Sequence, residues 1–214
     1  MKSMTQILVF GDSETYGAWD TKGGWAGRLK SLVTEKTIVT KQKFYCTLHN
    51  LGISGNTTTD LLLRVEFETN QRMKEKDETI IIFEIGANDS IRNSKNIAWT
   101  APEKFGENLG KLINIARKYS SKIIFIGLSP VDETKATPVL WDDEVFYSNT
   151  RLHEYNEIIK TVCTKNNVPF IDIFGKWTKD DYNKLLEYGL HLNSKGHKKI
   201  FDAVLKFFQE NKIL

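Results

Sequence analysis

Five short apolar runs, at residues 7–10, 44–48, 79–85, 122–128 and 168–173, alternate along this chain with stretches of helical periodicity. The runs are rich in β-branched residues and lack polar alternation, so each reads as a strand buried on both faces. The helical stretches lie near 25–35, 58–74, 102–119, 150–166 and 194–210. In the last of these, Ile200, Val204, Leu205 and Phe208 share one face. Strands that alternate with helices predict an α/β fold, a parallel sheet covered by helices on both sides. No repeat, low-complexity tract or linker divides residues 1–214, which read as one domain.

Composition removes several classes of function. Thirty basic against 27 acidic residues leave a formal net charge of +3, too even a balance to point to nucleic acid or an anionic membrane. No apolar stretch is long enough to cross a bilayer and no signal segment precedes the first strand, so a cytoplasmic location is expected. Cys46 and Cys163 lack metal or redox spacing and read as buried free thiols. A P-loop and a paired zinc motif are both missing, and neither a metal nor a cofactor is expected.

Polar residues collect where three strands end. The first strand gives Gly11-Asp12-Ser13, the second Asn50, Gly52, Ser54, Gly55 and Asn56, and the third Gly86, Asn88 and Asp89. In a doubly wound sheet of order 2-1-3-4-5 these ends are neighbours around one crevice at the carboxyl edge. They bring together a hydroxyl, a glycine N–H and a side-chain amide, the set that acyl transfer needs. Taken singly, each is also an ordinary turn former.

A general base has four candidates. His49 falls at the end of the second strand, His153 near the start of a polar helix, and His197 inside the last helix. His191, in "YGLHLNSKGH", is placed in a loop just before a helix capped by Asn193 or Ser194. That loop follows the fifth strand and can return across the same edge of the sheet.

Four blocks in order, "GDSETYG", "NLGISGNTT", "IGANDS" and "GLHLNSKGH", resemble the GDSL or SGNH hydrolases, which are serine esterases and lipases. The resemblance covers nearly the whole chain. It implies a flavodoxin-like three-layer α/β/α fold, with Ser13 as nucleophile and His191 as base. It also implies an oxyanion hole made by the N–H groups of Ser13 and Gly55 and the amide of Asn88. "GGW" at residues 23–25 and "PVDETK…WD" look like the branch that hydrolyses isoamyl acetate and other small esters. The expected substrate is thus a small-molecule ester with a short acyl or acetyl group. Asp12, Trp141 and Phe146 are expected to touch it, and Trp19 to wall the same pocket.

One position departs from the family pattern. Members carry Asp three residues before the histidine, in D-G-L-H, whereas this chain has Tyr188. Tyrosine is neutral near pH 7 and cannot stabilise an imidazolium as a carboxylate does. Three accounts stay open: Glu187 supplies the carboxylate, a backbone carbonyl or water orients the ring, or the site is degenerate and binds a ligand without efficient turnover. The segment 129–147 contains two of the four prolines and no clear periodicity, and it reads either as a functional loop or as a surface excursion.

Overall fold

The computed structural model describes residues 4–74, 77–177 and 181–213. Five parallel strands form its central sheet: β1 (Thr5–Gly11), β2 (Cys46–Gly52), β3 (Glu78–Glu84), β4 (Lys122–Ile126) and β5 (Phe170–Ile171). Their order is β2-β1-β3-β4-β5. The chain steps outward from β1 to β2 and then returns to β3 on the other side of β1. This reversal opens a crevice beyond the carboxyl ends of those strands.

Neighbouring residues of a strand face opposite sides, and both sides are roofed. Ile7, Val9, Ile80 and Ile82 pack against Trp25, Leu29 and Val33 of α2 (Gly24–Val39) and against Ile200, Val204 and Phe208 of α8 (Ser194–Glu210). Leu8, Phe10, Ile81, Phe83 and Phe125 face the other way. They meet α3 (Thr58–Asn70), α4 (Pro102–Arg117) and α6 (Asn149–Lys165) through Leu61, Val65, Phe105, Leu112 and Ile159. Phe10, Phe83 and Phe125 form a ladder across β1, β3 and β4, with centroids 5.8 and 4.9 Å apart. Each such side chain contributes about 1.5–3 kcal/mol by leaving water, which is why the runs are continuous rather than alternating.

Local sequence sets the helix starts. Thr57 and Asp60 make a reciprocal capping box at α3, Pro102 opens α4, and the Asn193 side chain accepts from the N–H groups of Lys195 and Gly196 at α8. Several boundaries differ from the sequence expectation. β2 runs on to Gly52 because its pairing with β1 continues to Gly11↔Gly52, which puts His49 and Asn50 inside the strand. β5 shrinks to two residues, since only Phe170 and Ile171 keep pairing with β4 at the sheet's edge. Among the described residues, no helix is long and apolar enough to cross a membrane.

Segment 129–147 is ordered. It contains α5 (Glu133–Ala136), a bridge from Val139 to both Ala136 and Asp142, and a bridge from Phe146 to Arg92. Two short elements near the crevice were not expected from sequence. One is α1 (Ser13–Tyr16), which starts directly after β1. The other is a hairpin of β6 (Leu186–Glu187) and β7 (His191–Leu192), so His191 lies on a strand rather than in a loop. A last short helix, α7 (Phe174–Trp177), follows β5.

Candidate active site

Ser13 is held where it is by two close approaches at glycines. A Cβ on Gly11 would stand 2.1 Å from Thr15 Oγ1 and 2.3 Å from the Glu84 carbonyl oxygen. A Cβ on Gly52 would stand 2.3 Å from the Tyr16 nitrogen. Glycine at both places lets α1 sit directly on the ends of β1, β2 and β3. Ser13 is the first residue of α1, so its N–H has no partner within the helix.

The acids around this turn are buried and do structural work. Asp12 caps α1, its Oδ1 accepting from the Glu14 N–H at 3.1 Å. Glu84 Oε2 accepts from Thr15 Oγ1 at 2.7 Å and from Trp25 Nε1 at 2.6 Å, tying α1 and α2 to β3. Burial raises Glu84 from 4.5 to about 7. Burial and the neighbouring Glu84 raise Asp12 from 3.8 to about 8. Asp12 is only 2% exposed and lines neither cavity at the crevice, so it is a helix cap and not the substrate contact expected from sequence.

His191 is carried by the hairpin. The turn between β6 and β7 closes with the Leu190 N–H donating to the Glu187 carbonyl, and Tyr188 and Gly189 both have positive φ, +39° and +92°. Glu14 Oε1 accepts from the Leu192 N–H at 3.0 Å and so ties α1 to β7. Its other oxygen is buried, lacks a hydrogen bond and lies 3.9 Å from His197 Nε2. Burial, with Glu84 nearby, pushes Glu14 well above the usual carboxylate range.

These ties place His191 Nε2 2.9 Å from Ser13 Oγ. On the ring's far side Tyr188 Oη hydrogen-bonds Nδ1. Glu187, expected as a possible acid, is exposed, and among the described residues it makes no hydrogen bond to the ring. The hairpin pairs the backbones of Glu187 and His191 and leaves Nδ1 to Tyr188. Burial, and to a smaller degree His197, lowers His191 from 6.5 to about 4, which keeps the ring uncharged at neutral pH.

Ser13, Gly55, Asn88 and His191 line one cleft of about 270 Å³. Gly55 has φ +82° and open space beyond its α-carbon. Asn88 is buried in the 3₁₀ turn Asn88–Ser90, and its Nδ2 donates to the Asn56 carbonyl at 2.9 Å. Ile91, Trp99, Trp141, Val145 and Tyr147 wall the rest of the cleft. A second cavity, of about 20 Å³, adjoins Ser13 and His191 on the side of Glu14, Ser129, Val131, Tyr147 and Leu152. It has room for about one water molecule.

A hydroxyl on an uncharged imidazole, beside amide donors in a partly enclosed cleft, is equipped for acyl transfer. The family model for GDSL-like lipase/acylhydrolases matches residues 9–199, a span that begins in β1 and includes both Ser13 and His191. The chain belongs to the GDSL-like lipase/acylhydrolase family. An isoamyl acetate-hydrolyzing esterase 1 homolog from Bos taurus is 25% identical over 210 residues, covering 92% of this chain and 78% of that protein. The isoamyl acetate-hydrolyzing esterase of Saccharomyces cerevisiae is 24% identical over 217 residues, covering 95% and 86%. A solved lipase/acylhydrolase from Enterococcus faecalis shares the fold with a TM-score of 0.71, 24% identity and 97% coverage of both chains.

This family member brings Ser13, Gly55, Asn88 and His191 to one cleft. Of the aromatic residues expected at the substrate, Trp141 lines it. Phe146 does not, because its backbone pairs with Arg92 and the side chains flanking it, Val145 and Tyr147, take the inward positions. Trp19 packs edge-on against Tyr188 at 5.5 Å and is 66% exposed. Trp99, Tyr147 and Glu14 were missed from sequence. Residues 145–147 are Val-Phe-Tyr, apolar throughout, so the sequence has no alternation to tell Tyr147 from Phe146.

Proposed function

We propose that this family member is a serine esterase that hydrolyses small carboxylic esters through an acyl-enzyme. Ser13 Oγ attacks the ester carbonyl as His191 Nε2 takes its proton. The N–H groups of Ser13 and Gly55 and Asn88 Nδ2 hydrogen-bond the oxyanion that forms. Collapse expels the alcohol, which receives the proton from His191. Water, deprotonated by the same ring, then releases the acid and restores Ser13. No cofactor enters any step.

The observation that carries this reading is the 2.9 Å approach of His191 Nε2 to Ser13 Oγ in a cleft shared with Gly55 and Asn88. The unequal cavities support a short acyl group, with the 20 Å³ space taking no more than an acetyl methyl and the 270 Å³ cleft taking the alcohol. Two relatives, an isoamyl acetate-hydrolyzing esterase and a homolog of one, agree with that class. Treatment with a fluorophosphonate should label Ser13, and p-nitrophenyl acetate should be turned over by the native chain but not by Ser13→Ala. Absence of both the adduct and turnover would sink the assignment.

A second reading, a ligand-binding protein without efficient turnover, is favoured by one observation: the group on His191 Nδ1 is a phenol and not a carboxylate. Thermal stabilisation by an ester with no product formed would support it, and turnover dependent on Ser13 would exclude it.

A further inference from the structure

The phenol at His191 differs from the carboxylate it replaces in the direction of its hydrogen bond. An ionised carboxylate can only accept, so it draws the proton onto Nδ1 and leaves a lone pair on Nε2 facing the serine. A phenol carries a proton of its own, and the two ring nitrogens of neutral imidazole are one donor and one acceptor. Phenol oxygen is the better donor of the pair and imidazole nitrogen the better acceptor, and with ordinary pKa values of about 10 and 6.5 the two meet as neutral groups. The protein keeps both partners neutral. Burial pushes Tyr188 further above its ordinary range and His191 well below its own, so the proton stays on oxygen and the ring stays neutral.

The surroundings hold the phenol in place. Trp19 and Trp141 meet the Tyr188 ring edge-on, each at 5.5 Å between centroids, and Trp141 also lies over the His191 ring at 6.3 Å. Tyr188 is kept at φ +39°, a conformation that bulky residues rarely adopt. The Oη–Nδ1 contact is thus fixed from the backbone and by two aromatic neighbours of the ring.

We propose that Tyr188 donates its hydroxyl proton to His191 Nδ1 and holds the resting ring in the Nε2–H tautomer, whose N–H donates to Ser13 Oγ. In that state Nε2 has no lone pair with which to take the serine proton. The resting site is complete in its parts and blocked by one proton. Turnover requires that proton to pass from Nε2 to water, the co-substrate of the hydrolysis, while water returns another to Nδ1. The net charge of the ring is unchanged, and Tyr188 keeps its own proton and turns its oxygen to accept. Tyr188 is on this view a positioning residue that acts through His191. It throttles the chemistry by roughly the worth of one hydrogen bond, up to about tenfold in kcat.

The inference rests on the esterase reading for its kinetic consequence but not for its test. Long-range proton–nitrogen correlation spectra of the ¹⁵N-labelled full-length protein distinguish protonated from unprotonated ring nitrogens, and His191→Gln assigns the signals. At neutral pH the native protein should show an unprotonated Nδ1 and a protonated Nε2, and Tyr188→Asp should reverse the two. With p-nitrophenyl acetate, Tyr188→Phe should match or exceed the native kcat, by up to about tenfold. A protonated Nδ1 in the native protein, or a fall in kcat on Tyr188→Phe, would overturn the proposal, because the phenol would then be an orienting acceptor. If no variant turns over ester and Ser13 takes no fluorophosphonate, the esterase reading fails, while the spectra still decide the tautomer.

Discussion

Tyr147 Oη donates to Asn88 Oδ1 at 2.7 Å, and both residues are buried at the wall of the cleft. The other end of the amide donates to the Asn56 carbonyl, which can only accept. Between a donor and an acceptor the amide has one orientation, and that orientation leaves the second Nδ2 proton for the cleft. Tyr147→Phe removes the donor and leaves the amide held only at the Asn56 carbonyl. It should lower kcat for p-nitrophenyl acetate by about tenfold with KM nearly unchanged, a milder loss than the roughly 10²–10³-fold expected for Asn88→Ala. Equal KM and kcat effects, measured by steady-state kinetics, would assign Tyr147 to the cleft wall alone.

The pH dependence of kcat/KM should be displaced to the acid side. Burial lowers His191 from 6.5 to about 4, so the uncharged ring persists through mildly acidic solution and the rate falls only as pH drops through about 4. Tyr188→Asp places an anion on Nδ1, which favours the imidazolium and moves that limb upward by about one unit or more. Initial-rate profiles of the two proteins measure the displacement directly.

Stability should decline on the alkaline side of neutrality. Glu84 and Asp12 have folded pKa values raised to about 7 and about 8. Their contributions are full below the unfolded values and are lost as pH rises through the folded ones. His191 and His197 are lowered and act oppositely, but only below their ordinary value of 6.5. Above it the raised acids act alone, Glu14 in the same direction, and between pH 6.5 and 8.5 Glu84 and Asp12 together should lose on the order of 2 kcal/mol. Glu84→Gln keeps an oxygen for Thr15 and Trp25 and should flatten the slope, read as the melting temperature at each pH.

Two glycines should respond to alanine with opposite signs. At Gly11 the new methyl meets Thr15 and the Glu84 carbonyl, and a cost of about 1–3 kcal/mol is expected. Gly110, inside α4, has nothing within 4 Å of the added atom. There alanine should stabilise by about 0.5–1 kcal/mol. Urea unfolding of both variants provides the comparison.

Trp141 is 59% exposed and reaches the cleft from the ordered segment 129–147. Trp141→Ala should raise KM several-fold for esters with bulky alcohols and much less for methyl acetate. An equal change for both would show that Trp141 acts on His191, over which it lies, and not on the alcohol.

The sheet and the four meeting residues were legible in the sequence for different reasons. Runs such as residues 7–10 and 79–85 are apolar without alternation because both faces are covered, and that pattern needs no knowledge of partners. Ser13, Gly55, Asn88 and His191 sit in short blocks whose order is itself the signal. What stayed hidden depends on contacts between distant segments. Tyr147 matters through Asn88, 59 positions away, and Glu14 through Leu192, 178 away. Asp12 misled because a polar residue beside the nucleophile looks the same whether it caps a helix or faces a ligand. The hairpin of β6 and β7 escaped notice because each strand has two residues, too few for a period to show.

The close seat of α1 on Gly11 and Gly52 has a consequence for descent. Where a helix lies this close to strand ends, mutation has little to vary except the glycines themselves, and any side chain added there is costly. The walls of the cleft are drawn from side chains of separate excursions, Trp99 from one and Trp141 and Val145 from another. Lineages can therefore exchange those walls, and with them the shape of the cleft, while inheriting the perch of Ser13 intact.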